Sequence, residues 1–329
     1  MSPSAPSLFA GVDLGGTNFT VVLAEADGQI VAEDKQPTAS HEGPAAVLER
    51  LAGRIERLAT ATGRPLASLG IGVPGLVDVA TGVTRFLPNL PTQWRDVPVG
   101  TTLSARLNCP VHVLNDARAA TLGEAMFGHG RDARTMILFT LGTGIGGGVV
   151  IDGQLRLGPL GAAGEMGHIC VEPDGLWCSC GSRGCLETYA SGPALTAEGV
   201  RLLLSGNAPR LHELCGGDPA RVSCETLGAA ARAGDPGAQA ALERAGSYLG
   251  QAAAAAVLTL HPDLIVLAGG VAALDELLIA PLRRTLHQRV RMFPADGIRI
   301  ARSQLGVRAG VYGGLAAAIR GGNINRTAA

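Results

Sequence analysis

One short pattern occurs twice in this chain, and it limits the possible folds more than any other feature. Leu14-Gly15-Gly16-Thr17, followed by Val21-Val22 and Asp27-Gly28-Gln29, recurs as Leu141-Gly142-Thr143-Gly144, Val149-Val150 and Asp152-Gly153-Gln154. Each copy reads as an apolar strand, a Gly/Thr turn, a second strand and a tight hairpin at Asp-Gly. The copies are roughly 125 residues apart, far beyond any solenoid period, so the pattern denotes a duplicated domain and not an array. A chain of 329 residues has room for two domains with separate cores. Two similar domains, each presenting a Gly/Thr hairpin, are expected to face each other across a cleft.

The rest of the chain alternates strands with helices, which argues an α/β class. Strands are expected at Phe9–Asp13, Thr17–Glu25, Ile30–Lys35, Leu69–Val73, Val111–Leu114 and Leu264–Leu267. Apolar residues at helical spacing (Val47, Leu48, Leu51, Ile55, Leu58) mark a helix over 43–61, and Asn115-Asp116 opens another that runs to about Phe127. Residues 235–260 form a long alanine-rich helix, 277–290 another, and 320–329 read as a frayed tail.

The first turn, Asp13-Leu14-Gly15-Gly16-Thr17-Asn18, puts two glycines and a hydroxyl between strands, with a carboxylate at the end of the first strand. Successive backbone N–H groups in such a turn make an anion-binding concavity, and glycine lets a phosphate come close to the chain. Asp13 can hold Mg²⁺ through water, and Thr17 can donate to a phosphate oxygen. One such loop alone is an ordinary β-hairpin. The second, with Thr143 and Gly144 before Ile145-Gly146-Gly147-Gly148, shifts the balance toward a nucleotide. A third glycine pair, Gly269-Gly270, follows a buried strand and precedes a helix, a position suited to the adenosine end. None of these matches the P-loop or the Rossmann fingerprint, so the nucleotide is expected to lie between hairpins and not on one helix.

A second constellation reads His168-x9-Cys178-x-Cys180-x4-Cys185-x-Glu187. Three thiolates and an imidazole complete a closed tetrahedral Cys3His set, the type structural zinc prefers, with no open position for water. Gly181 and Gly184 let the backbone turn sharply between the sulfurs. The alternative is a Gly/Ser turn with incidental cysteines. The other four cysteines, Cys109, Cys170, Cys215 and Cys224, are scattered and are expected to be buried or inert. The count fits a reducing, cytoplasmic setting.

Phosphoryl transfer to an alcohol needs a carboxylate to accept the hydroxyl proton. Asp116 follows the apolar strand 111–114 and so lies at its C-terminal edge, where open α/β sheets bind ligands. It is equally well placed to be a plain helix cap. Glu165, His168 and Glu187 gather acceptors around the metal loop, a density that suits vicinal hydroxyls, and a metal-bound imidazole offers its second nitrogen to a ligand. Asn89 and the backbone at Gly75 sit in loops that, taken singly, are as readily ordinary turns.

Taken together these motifs resemble the ROK family of sugar kinases and sugar-responsive repressors. The likeness runs from Asp13-Leu14-Gly15-Gly16-Thr17 through Asn115-Asp116 and Gly164-Glu165-Met166-Gly167-His168 to Cys178–Glu187. The resemblance implies an actin/hexokinase-like (ribonuclease H-like) α/β fold. Its small domain would comprise 1–116 plus 311–329, and its large domain, 117–310, would carry the zinc loop. It also implies ATP with Mg²⁺, and Asp116 as catalytic base. Gly75, Asn89, Asn115, Asp116, Glu165, His168 and Glu187 would bind the sugar. Asp13, Gly15, Gly16, Thr17, Asn18, Thr143, Gly144, Gly269 and Gly270 would bind the nucleotide, and His168, Cys178, Cys180 and Cys185 structural zinc. Asn18 stands where many relatives carry Lys, and Arg118 where a second Asn is common. The segment Asn89-Leu90-Pro91-x-x-Trp94-Arg95-Asp96-Val97-Pro98 resembles the family's glucokinases. N-acetylglucosamine, N-acetylmannosamine and fructose kinases share the core motifs, and family members are commonly dimers or tetramers. A repressor would carry a DNA-binding domain before the first hairpin, and only twelve residues precede Asp13.

Charge and hydropathy set the exclusions. A net charge of −1 and a pI near 6.7 give no electrostatic footprint for nucleic acid or an anionic membrane. No apolar run reaches membrane-spanning length, and residues 1–7 lack the basic start of a signal peptide.

Overall fold

The computed structural model describes residues 7–87, 90, 94–321 and 324. Its first sheet holds β1 (Leu8–Leu14), β2 (Asn18–Ala24), β3 (Ile30–Pro37) and β4 (Leu66–Val73). A two-stranded ribbon, β5 (Leu76–Asp78) and β6 (Val83–Phe86), precedes β7 (Val111–Asn115), and the first sheet runs β3-β2-β1-β4-β7. The second sheet holds β8 (Thr135–Leu141), β9 (Ile145–Ile151), β10 (Gln154–Arg156), β11 (Leu264–Ala268) and β12 (Arg299–Arg302), in the order β10-β9-β8-β11-β12. Position for position the two orders are the same, as a duplicated domain requires.

Ten α-helices are described: α1 (Pro44–Thr62), α2 (Val99–Leu107), α3 (Asp116–Phe127), α4 (Glu187–Ala190), α5 (Gly192–Leu204), α6 (Pro209–Cys215), α7 (Cys224–Arg232), α8 (Pro236–Leu260), α9 (Glu276–Arg289) and α10 (Ala309–Arg320). The chain divides into two compact units, Met1–Arg134 with Gly148–Gly164 and Gln304–Ala329, and Thr135–Gly147 with Glu165–Ser303. This division groups α3 and the 148–164 segment with the N-terminal strands, where the sequence reading had drawn its boundary at 116.

In the first unit β1 sorts its residues by parity. Leu8, Ala10, Val12 and Leu14 are fully buried in a core with Val47, Leu48, Leu51 and Ile55 of α1 and Val99 and Leu103 of α2. Each of the leucines, valines and the isoleucine contributes on the order of 1.5–3 kcal/mol by leaving water. Pro44 opens α1 with its φ already set, and Gly63 closes it in the left-handed region at φ 65°. The opposite parity of β1 carries Gly11 and Asp13. A side chain at Gly11 would fall 2.6 Å from the backbone nitrogen of Leu315, so α10 lies directly on this face. Asp13 therefore emerges at the C-terminal end of β1, on the α10 side.

In the second unit β11 is buried at every residue and pairs in parallel with both β8 and β12. Asp235 caps α8 by accepting from Ala238 N (3.0 Å) and also accepts from Arg210 N (2.9 Å) at the start of α6. No described helix is long and apolar enough to cross a membrane.

Candidate active site

The first hairpin turn is closed by Gly15 N donating to Asn18 O (3.0 Å), and its tip residues Gly16, Thr17 and Asn18 are exposed. Buried Thr38, just after β3, donates from its hydroxyl to Gly15 O (2.7 Å) and from its backbone to Thr17 O (2.8 Å). Two carbonyls that would repel a phosphate are thereby engaged inside the protein. Sequence reading did not find Thr38, because it lies 21 residues from Thr17 and only the β2–β3 register brings it back.

Register also brings two carboxylates together. Asp13 on β1 pairs with Gly72 on β4, and the next residue of β4, Val73, pairs with Asn115 on β7, immediately before Asp116. Gly72 lies against the start of α3: a Cβ there would fall 3.1 Å from Ala119 Cβ and 3.6 Å from Asp116 Cα. Burial, and then the nearby charge of Asp116, pushes the Asp13 carboxyl up to about 6. The Asp13 carboxylate also lies against the first turn of α10, where a Cβ on Gly310 would fall 2.5 Å from its Oδ2. Two mutually repelling carboxylates at the C-terminal edge of a parallel sheet are a natural seat for a divalent cation.

The choice between base and cap for Asp116 is informed by its neighbour. Asn115 is the N-cap of α3: its Oδ1 accepts from Ala117 N (3.0 Å) and Arg118 N (3.2 Å), while its Nδ2 donates to Gly75 O (2.9 Å). Asp116 is the first helical residue, half-buried, with Oδ1 accepting from Ala117 N at 2.8 Å. Capping the helix therefore does not require Asp116. Gly75 and Asn115, both anticipated as sugar contacts, are joined to each other, and buried Arg118 approaches the same Asn115 Oδ1 at 3.4 Å. Asn89 lies outside the described residues.

In the second unit the donor atoms of His168, Cys178, Cys180 and Cys185 all lie within 4.8 Å of one another. Two of the separations, Cys178 Sγ to His168 Nδ1 and Cys180 Sγ to Cys185 Sγ, are 3.7 Å. A tetrahedron with ligands about 2.3 Å from its centre has edges of about 3.7 Å, so the donor set fits zinc in size as well as in kind. Gly181 N donating to Cys178 O (3.0 Å) and Cys178 N to Ser182 O (2.9 Å) fold the knuckle. His168 ends a short 3-10 turn, Met166–His168, that packs on the start of β9. Only glycine fits at 167, where a Cβ would fall 1.9 Å from Ile145 O.

Glu187, the first residue of α4, links this knuckle to the second hairpin. Its Oε2 accepts from Ile145 N (2.8 Å), and its Oε1 lies 4.0 Å from Cys178 Sγ. The turn itself is closed by Gly142 N donating to Gly144 O (2.9 Å), with Thr143 exposed at its tip. Glu165 is exposed, and its carbonyl accepts from His168 N (3.1 Å). The third glycine pair follows β11: Gly269 takes φ 89° with Leu141 O close by, and Gly270 begins a 3-10 turn to Leu274 before α9. Both glycines are exposed. The spare cysteines behave unevenly. Cys109 and Cys215 are buried and Cys224 is partly so, but Cys170 is exposed, so the expected burial does not extend to it. It lies on the short bridge beside Cys185, a neighbour that spacing along the chain did not reveal.

Two like-ordered sheets, each opened by a Gly/Thr hairpin, define the actin/hexokinase-like sugar-kinase fold. A sequence model described as the ROK family matches residues 9–320, and the chain belongs to that family. It is 37% identical over 307 residues to a glucokinase of Thermotoga maritima, covering 92% of this chain and 94% of that one. The crystal structure of a ROK family glucokinase from Streptomyces griseus in complex with glucose and AMPPNP superposes with a TM-score of 0.81 at 33% identity, over 96% of this chain and 100% of that one. A ROK family transcriptional regulator, a homologue of the E. coli MLC protein, superposes with a TM-score of 0.85 at 28% identity, over 95% of this chain and 78% of that one.

Proposed function

We propose that this protein is an ATP-dependent glucokinase that transfers the γ-phosphoryl group to the 6-hydroxyl of glucose, with Asp116 as general base. The observation that carries the reading is local: Asn115 caps α3, so Asp116 is not needed as the cap and stands beside Asp13 at the edge of the sheet. The similarity to the T. maritima glucokinase, and to a glucokinase that binds glucose and AMPPNP, supports the choice of substrates.

In this reading the Asp116 carboxylate accepts the proton of the attacking hydroxyl, which makes the oxygen a better nucleophile as the P–O bond forms. Gly15, Gly16, Thr17 and Asn18 offer amides and a hydroxyl to phosphate oxygens of ATP, as do Thr143 and Gly144, while Gly269 and Gly270 lie along its adenosine end. Asp13 would hold Mg²⁺, which would supply positive charge to neutralise the phosphates. Glu165, His168 and Glu187 bind sugar hydroxyls, and Asn115 and the Gly75 backbone, which it holds, are further sugar contacts. His168 turns Nδ1 toward the thiols, so Nε2 is the nitrogen left for a hydroxyl. Zinc would be held by His168, Cys178, Cys180 and Cys185 and would supply shape alone, since four protein ligands leave no site for a nucleophile.

The test is a panel of hexoses with Mg·ATP, read by ADP release and by the position of phosphate on the product. The account expects glucose 6-phosphate, with glucose giving the highest kcat/KM. A higher value for N-acetylglucosamine, N-acetylmannosamine or fructose reassigns the substrate. Sugar binding with no turnover for any of them supports a sensor like the family's regulators and removes the catalytic role of Asp116.

A further inference from the structure

We propose that Cys170 is a peroxide-sensitive site that closes a reversible disulfide onto Cys185. The two residues face each other in an isolated antiparallel bridge. Val171 N donates to Gly184 O (2.8 Å) and Leu186 N donates to Ile169 O (3.0 Å), so the two ladder bonds flank the pair and do not join it. Such a non-hydrogen-bonded pair brings Cα atoms to about 4.5 Å with both side chains on one face. A disulfide spans Cα separations of about 4.4–6.8 Å, a range that includes that of such a pair. The approach is enforced next door, where a Cβ on Gly184 would fall 1.7 Å from Glu172 O.

Exposure sets the order of events. Cys170 is exposed and meets a solvent oxidant, whereas Cys185 is buried. The Cys170 sulfur attacks one oxygen of hydrogen peroxide, the O–O bond breaks, Cys170 becomes a sulfenic acid and one water leaves. The Cys185 sulfur then attacks the Cys170 sulfur, the S–O bond breaks, and the oxygen leaves as a second water with the remaining thiol proton. Two thiols and one peroxide thus give one disulfide and two waters. Cys185 is one of the four clustered donors and lies two residues before Glu187, whose carboxylate holds Ile145 N of the second hairpin (2.8 Å). Oxidation withdraws a metal ligand and loosens the anchor of that turn. The consequence for metal rests on the zinc reading above, but the disulfide does not.

The experiment treats purified protein with equimolar hydrogen peroxide, blocks remaining thiols and maps the non-reduced digest by mass spectrometry, while a chromogenic chelator follows zinc release. The expected result is a cross-linked peptide joining Cys170 to Cys185, lighter by two hydrogens and lost on reduction, with zinc released in step. Cys170→Ser should keep the wild-type melting temperature and untreated activity, form no such cross-link and release zinc roughly tenfold more slowly. A cross-link between Cys180 and Cys185, whose Sγ atoms are 3.7 Å apart, would overturn the proposal. So would a Cys170 that ends as sulfinic acid without a cross-link, or equal release from the Cys170→Ser protein. If the untreated protein carries no zinc, only the metal assignment fails, because the cross-link is read by mass either way.

Discussion

The two hairpin turns are copies in sequence and in strand order, yet they are held and charged differently. The first carries Asp13 one residue before the end of β1 and secures its carbonyls through Thr38. The second has Thr140 at the matching place. Its hydroxyl accepts from Gly146 N (3.1 Å), while the turn is fixed from outside by Glu187 on Ile145 N and by Gly192 N donating to Gly142 O (2.8 Å). Duplication supplied one scaffold twice, and a single position, carboxylate or hydroxyl, separates a turn suited to a cation from one suited to positioning. The first copy lies next to Asp116, and the second is tied through Glu187 to the cysteine knuckle.

The sharpest consequence falls on the carboxylate side. Asp116→Asn should lower kcat on the order of 10²–10⁴-fold with little change in sugar KM, because proton acceptance is lost while hydroxyl contacts remain. Steady-state kinetics with verified variant protein checks this, and substantial turnover would leave both hairpins as binding elements only.

Proton competition should then distinguish the copies. Asp13 is raised to about 6, chiefly by burial and further by Asp116, so its proton-bound form is favoured in the folded protein. Its contribution to stability is complete below its unfolded pKa and is lost as pH rises through about 6. A cation seated there needs the ionised form, so the sign reverses for binding. Mg²⁺ affinity should fall about tenfold per pH unit below that value and level off above neutrality. Calorimetric titration of Mg²⁺ with ADP across this range checks it, and a flat profile would detach Asp13 from the metal.

On the second copy the effects should be smaller and should appear in sugar binding. A Cβ at Gly144 would fall 2.5 Å from Glu187 Oε2, so Gly144→Ala should push that carboxylate off Ile145 N. Loss of a charge-assisted bond costs about 1.5 kcal/mol, close to a tenfold rise in glucose KM. An unchanged KM would separate Glu187 from the sugar. Smallest of all, Thr38→Val removes only the hydroxyl bond to Gly15 O, about 1 kcal/mol, seen as a few-fold weaker nucleotide binding and a slightly lower melting temperature.

Sequence carried the parts whose signal is local. The duplicated hairpins, the strand before Asn115-Asp116 and the cysteine spacing all lie within windows of ten to twenty residues, where periodicity and turn chemistry act. What it missed is set by register. Nothing near Asp13 in the chain announces that β4 carries glycine at its partner position and that β7 brings Asp116 alongside. Thr38 and Gly310 matter only because strand pairing and helix docking return them to the first turn. The cap stays open in the sequence for a different reason: Asn and Asp are both strong N-caps, and which of two adjacent residues takes the role depends on where β7 ends. The pairing of Cys170 with Cys185 is not legible in the sequence, because the bridge between them is closed by a loop of more than a dozen residues.

The comparison itself is tested most directly by making the first copy resemble the second. Asp13→Thr places the second hairpin's residue at the end of β1, and the quantity to measure is the dependence of nucleotide affinity on Mg²⁺. If the carboxylate holds the ion through water, affinity for Mg²⁺ should drop about 10–100-fold, and the pH dependence below 6 should vanish with it. Undiminished Mg²⁺ dependence in a folded Asp13→Thr protein would show the two hairpins to be interchangeable and would contradict the division of labour argued above.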